Sequence, residues 1–83
     1  MDSDGLLVDL GHVLREIRVE ARVSQEELSL RTGVHRNYVG GVERAERNPT
    51  VLTVAKLAEA LGITMADLFA SVDRAASERT RPE

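Results

Sequence analysis

Apolar residues recur along this chain at helical spacing. Leu10, Leu14, Ile17 and Ala21 follow one another at steps of four, three and four, which puts them on one face of a helix from about Val8 to Arg22. Gly11 weakens the first turn of that helix. Ser24 followed by Glu27 then fits a capping box, in which the hydroxyl accepts from an orphan amide while the glutamate reaches back. Val23 before the cap and Leu28 after it make the matching hydrophobic staple, so a short second helix spans Gln25 to Arg31. Gly33 supplies a left-handed turn and Val34 plugs the corner. A third helix runs from His35 to about Glu43, with Val39 and Val42 inward. Residues 44–50 form a polar loop ending in Asn-Pro-Thr. A fourth helix covers about Val51 to Leu61, with Leu57, Ala58 and Leu61 inward and Gly62 as its stop. Thr64 caps a fifth, in which Ile63 and Leu68 form a second staple and Met65, Leu68, Phe69 and Val72 make an apolar edge.

No strand alternation and no internal repeat interrupts this pattern, so the predicted fold class is all-α, a compact bundle of five helices. Residues 1–7 read as a flexible N-terminal segment, 8–73 as the folded domain, and 74–83 as a frayed tail. The stretch AASERTRPE carries too little apolar surface to pack.

Composition sets bounds on this picture. Eighty-three residues suit one domain with a core of modest size. There is no cysteine, which excludes disulfides and thiolate metal sites. Tyr38 and Phe69 are the only aromatics, so aliphatic residues must build the core. No apolar run has the length of a membrane span, and the start MDSDGLL lacks the basic flank of a signal peptide; a cytoplasmic location is expected. His12 has no acidic or histidine neighbour at ligand spacing and reads as a solvated side chain. No metal, cofactor or small-molecule ligand is implied. An enzyme fails on inventory, since there is no nucleophilic cysteine, no carboxylate–histidine cluster and no phosphate-binding glycine loop after a strand.

The net charge of −3 does not by itself suggest an anionic partner. Placement matters more than the sum. Between Arg15 and Thr50 lie seven arginines (15, 18, 22, 31, 36, 44, 47) against six glutamates (16, 20, 26, 27, 43, 46). Arginine serves forked contacts to phosphate and guanine and serves surface ion pairs equally, so charge alone is neutral on the question.

The segment from Ser24 to Pro49 has two short helices, one glycine turn and a polar first turn on the second helix. This is how small proteins present a helix end to the major groove. Together with Arg18 before it and Leu57-Ala58-Glu59-Ala60-Leu61-Gly62-Ile63 after it, the segment resembles the Cro/repressor-type helix-turn-helix domains of phage repressors and XRE regulators. The match runs from about Leu10 to Phe69. Its carriers inside the segment are Ser24-Gln25-Glu26-Glu27-Leu28, Gly33-Val34, Tyr38-Val39, Val42-Glu43-Arg44 and Arg47-Asn48-Pro49. Restriction–modification controller proteins, compact all-helical homodimers, are the nearest group by size.

The resemblance implies a sequence-specific DNA-binding regulator that acts as a homodimer on a near-palindromic operator. It would repress by covering a promoter or activate by touching RNA polymerase. In that reading Gln25 bonds a DNA phosphate beside the amides of the second helix's N-terminus. His35, Arg36 and Asn37 read base edges, Arg36 by forking onto guanine and Asn37 onto adenine; His35 can donate or accept. Tyr38, Arg44, Arg47, Asn48 and Thr50 contact phosphates. Arg18 and Glu43 form an ion pair linking the first helix to the end of the third. Met65, Leu68, Phe69 and Val72 supply the dimer interface. Gly40 and Gly41 depart from the pattern, because Gly41 stands where relatives often carry a polar or basic side chain. The pair implies either close approach of backbone to DNA or to the second helix, or, as the preferred expectation, a domain that reads fewer bases. Ala45 replaces a usual glycine after the third helix, and a left-handed residue there would be strained. The competing function is an antitoxin-type module that clasps a partner protein and autoregulates its operon, for which only the tail after Val72 offers a binding segment.

Overall fold

The structure, a computed structural model, describes residues 3–82. Five helices follow in order: α1 (Ser3–Glu20), α2 (Gln25–Thr32), α3 (Arg36–Glu43), α4 (Val51–Ala60) and α5 (Met65–Arg79). Serine or threonine hydroxyls start three of them. Ser24, Thr50 and Thr64 each accept from the backbone amide three residues on, which satisfies a donor the helix cannot satisfy itself. α1 is the spine, packing on α5 along one side and on α3 along another, while α2 bridges α3 and α4. The core is entirely Leu, Val and Ala: Leu10, Val13 and Leu14 of α1 meet Leu28, Val39, Val42, Val54, Leu57, Ala58, Leu68 and Val72. Each large aliphatic side chain so buried contributes roughly 1.5–3 kcal/mol.

Both ends of the bundle extend past the expected boundaries. α1 begins at Ser3, not near Val8, so residues 3–7 are helical rather than a flexible segment. Leu6, Leu7 and Leu10 line an apolar groove with Met65 and Phe69, and this groove gives the added turn something to cover. α5 runs on to Arg79, so the tail from 74 is largely ordered. Ala75 packs on the core, and the Arg79 guanidinium grips the carboxylate of Asp9, which is buried on α1: Nε lies 3.0 Å from Oδ1 and Nη2 3.1 Å from Oδ2. An apolar count cannot register that long-range charge pair. The remainder of the two terminal expectations, at residues 1, 2 and 83, lies outside the described residues.

Three further corrections concern α1. It stops at Glu20 because Arg22 turns left-handed (φ 61°), with Arg22 N–H donating to Val19 and Val23 N–H to Arg18. Gly11 is not a weak first turn but the point where α1 crosses α3. A Cβ there would stand 2.4 Å from the carbonyl oxygen of Val42 and 2.7 Å from that of Glu43. His12, read as lacking an acidic neighbour, pairs with Glu16 one turn on at 2.6 Å, with both side chains well exposed.

The assigned dimer face is also revised. Leu68 and Val72 are 0% and 2% exposed, locked inside the chain against α1, so they form no outer surface. Met65 and Phe69 are half-buried and still reach the outside.

Candidate nucleic-acid interface

The α2–turn–α3 unit is fixed by local chemistry. Ser24 Oγ accepts from the Glu27 amide at 2.9 Å, but the Glu27 carboxylate pairs with Arg31 instead of completing the capping box. Gly33 adopts φ 77° and donates its N–H to Ser29 at 2.8 Å, ending α2 in the conformation that glycine adopts without strain. Thr32 stitches the corner, donating its hydroxyl to the Leu28 carbonyl and accepting from the Val34 amide.

His35 stands at the cap of α3 rather than in its first turn. Its Nδ1 accepts from the Asn37 amide at 3.0 Å. The neutral ring therefore carries its proton on Nε2, and the side chain faces outward as a donor. Arg36 and Asn37 are exposed in the first turn, Tyr38 is half-buried, and Val39 and Val42 anchor the inner side.

Behind α3 lies a polar brace. Arg18 Nε donates to Glu43 Oε2 at 2.6 Å and Nη2 to Oε1 at 2.9 Å, while Nη1 caps the Val23 carbonyl at 2.9 Å. The side chains of both partners are almost fully shielded. The hydrogen bonds to Glu43 raise the Arg18 pKa above its usual value despite desolvation, so the guanidinium stays charged in the interior. Gln25 joins this brace: its amide nitrogen donates to Glu43 Oε1 at 3.0 Å. Gln25, the residue expected to bond a DNA phosphate, is half-buried and holds Glu43 through one N–H of its side chain.

The loop after α3 is shaped by a left-handed Ala45 (φ 61°). Ala45 N–H bonds Val42 and Glu46 N–H bonds Gly41 at 2.8 Å, the paired bonds of a Schellman ending. Arg44 reaches Glu46 at 3.2 Å. The aliphatic stem of Arg47 lies against Gly41, and its guanidinium sits 5.8 Å from the centroid of the Tyr38 ring, within cation–π range. Asn48 is exposed. Thr50 is exposed and caps α4: its hydroxyl accepts from the Thr53 amide and donates to the Thr53 hydroxyl.

The structure thus gathers Arg36, Asn37, Tyr38 and Arg47 around the outer side of α3. It sets Gln25 and Thr50 to structural bonds, and Arg18 and Glu43 behind. Gly11 was missed as part of this frame; a glycine inside an otherwise amphipathic helix is a known mark of close approach. Among the described residues no cluster of His, Asp or Glu could hold a metal, and no helix is long and apolar enough to cross a membrane.

Comparison with known proteins places this geometry. The helix-turn-helix family model matches residues 14–68, more than half of the chain. The control protein C.SmaI of Serratia marcescens is 39% identical over 72 residues, which cover 82% of this chain and 86% of that protein. The crystal structure of the restriction-modification controller protein C.AhdI from Aeromonas hydrophila superposes with a TM-score of 0.74 at 48% identity, covering 76% of this chain and 96% of that one. The controller protein C.Esp1396I, crystallised as a tetramer with its natural 35 base-pair operator, gives a TM-score of 0.80 at 27% identity over 86% of this chain and 93% of that one.

Proposed function

The chain belongs to the helix-turn-helix family, and from that premise we propose that it is a sequence-specific DNA-binding transcriptional regulator of the controller type, not an enzyme. The observation that carries this reading is how the arginines of the motif are partnered. Arg31 and Arg44 have carboxylate partners of their own, and Arg18 is held by Glu43. Arg36 and Arg47, beside the outer side of α3, have none among the described residues. The positive charge of the motif is left where a groove would meet it, on a chain whose net charge is −3.

In this reading Arg36 forks onto guanine and Asn37 onto adenine. His35 donates from Nε2 to an acceptor on a base edge or a phosphate. Arg44, Arg47, Asn48 and the Tyr38 hydroxyl grip phosphates, and Gln25 joins them only by leaving Glu43. One such domain covers one half-site, so the protein acts as a homodimer on half-sites about 34 Å apart. The surface best suited to a second copy is the groove of Leu6, Leu7, Val51, Met65 and Phe69, in which Val51 is 75% exposed. An activating contact with RNA polymerase would add a partner to the same complex.

The test is a salt titration of binding to the DNA upstream of the gene. The expected result is log affinity falling linearly with log salt, with a slope of roughly −0.9 per phosphate neutralised. No binding at low salt, or a flat dependence, overturns the reading.

A further inference from the structure

The two adjacent glycines of α3 are not equivalent. A Cβ on Gly40 would meet the tip of Arg44, with Nη1 at 2.9 Å, a flexible end that swings aside easily, and would come within 3.4 and 3.5 Å of Oε1 and Nε2 of Gln25, close to ordinary contact. A Cβ on Gly41 would stand 2.7 Å from Cγ of Arg47, close to that residue's own backbone, with Cδ at 3.7 Å and Nε at 3.5 Å. The stem of Arg47 has little freedom to yield so near its root. Gly41 carries no side chain, yet it is buried, because the arginine lies over it. Gly41 also follows Asn37 by one helical turn, on the same face of α3. The place where a residue-41 side chain would project is filled by Arg47, whose guanidinium then rests near Tyr38.

We propose that Gly41 is a positioning residue: its missing side chain opens a notch through which the loop residue Arg47 lies across the outer side of α3. The proposal rests on the DNA-binding reading for its functional consequence. The recognition helix then does not simply read less because of its glycines. It exchanges a short side chain of its own for a long cationic one from the loop. The notch makes the placement of Arg47 depend on α3 and on the left-handed turn at Ala45 together.

The experiment is a double-mutant cycle with G41A, R47A and the double variant, read by operator affinity, by melting and by the ring resonances of Tyr38. Alanine is the better helix former, so G41A should melt no lower than the wild type. Its affinity should fall about tenfold, a loss of the order expected for one arginine contact. In the R47A background the same change should alter affinity less than about twofold, because the side chain it displaces is gone. In the protein without DNA, G41A and R47A should shift the Tyr38 ring resonances alike, since each removes the guanidinium from the ring. An equal affinity loss in both backgrounds would assign Gly41 to direct approach of DNA and overturn the proposal, as would a G41A protein with wild-type affinity. Tyr38 resonances that respond to R47A but not to G41A would overturn it without reference to DNA. A wild type that binds no DNA while the Tyr38 shifts agree would instead remove the regulator reading and leave the notch standing.

Discussion

The inner side of α3 is crowded and neutralised, whereas its outer side is open and positive. Inward, Glu43 accepts from Arg18 and Gln25 within 3.0 Å, and the backbone of α1 touches the last turn at Gly11. Outward, Arg36 and Asn37 are exposed and Arg47 lies over Gly41. The same eight residues therefore contain a joint and a working face. The joint spends charge on geometry, because a shielded ion pair is geometrically demanding even where its net stabilisation is small. The face keeps its charge for a partner. Orientation and recognition are thereby assigned to different side chains, and substitutions should separate them.

The largest effect belongs to the joint. E43A removes the carboxylate and leaves the Arg18 guanidinium shielded with only the Val23 carbonyl as acceptor. A loss of about 3–5 kcal/mol is expected, read from the denaturant midpoint. Against a total of roughly 5–15 kcal/mol for a domain, this threatens folding at growth temperature. A loss below about 1 kcal/mol would mean that the brace is as solvated as a surface pair, and the contrast between the two sides would collapse. G11A comes next. Its methyl group meets backbone carbonyl oxygens rather than side-chain tips, so α1 must retreat from α3, at about 3 kcal/mol. Near-neutral melting of G11A would show that the crossing is loose.

How much of this was readable beforehand follows from the range of each interaction. The helices, their order and the caps at Ser24 and Thr64 depend on spacing and on contacts three residues apart, and they stand plainly in the sequence. Thr50 followed by Thr53 was a cap signal of the same kind, obscured by its place in a loop assigned to phosphate. The ends of α1 and α5 were hidden because Asp9 and Arg79 lie far apart in the chain and close in space. Arg22 hid a left-handed helix end, since it is not the glycine that usually marks one, whereas Ala45 stood out as a non-glycine at such a position and does turn left-handed. Leu68 and Val72 seemed available because periodicity finds the apolar side of α5 but not which part of it the chain itself covers. Gly11 and Gly41 were visible as anomalies. What each makes room for, a carbonyl or an arginine stem, depends on tertiary packing.

On the working face the expected effect is smaller and of another kind. R36A should leave melting unchanged within about 0.5 kcal/mol, as for any exposed residue without a partner. It should relax discrimination at one base pair by about 1–3 kcal/mol if the contact is forked, measured with a panel of single-base operator variants. Uniform weakening across the panel would reassign Arg36 to phosphate. A large fall in stability would contradict the division between joint and face.

The smallest effect tests the seam between the two sides. Ala45 ends α3 at φ 61°, a conformation that costs an L-residue roughly 1–2 kcal/mol and glycine little. A45G relieves that strain but loosens the unfolded chain, which returns about 0.4–1 kcal/mol of the gain. The net expectation is a stabilisation of about 0.5–1 kcal/mol, seen as a small rise in the denaturant midpoint. The two backbone bonds at this turn, Ala45 to Val42 and Glu46 to Gly41, need no side chain at 45. Arg47 should therefore leave the turn in the same direction, and operator affinity should stay within about twofold. A tenfold loss of affinity with a gain in stability would show that the strained alanine itself aims Arg47. The outer face would then owe its geometry to local strain as well as to the notch at Gly41, and the joint behind α3 would not be the only source of orientation.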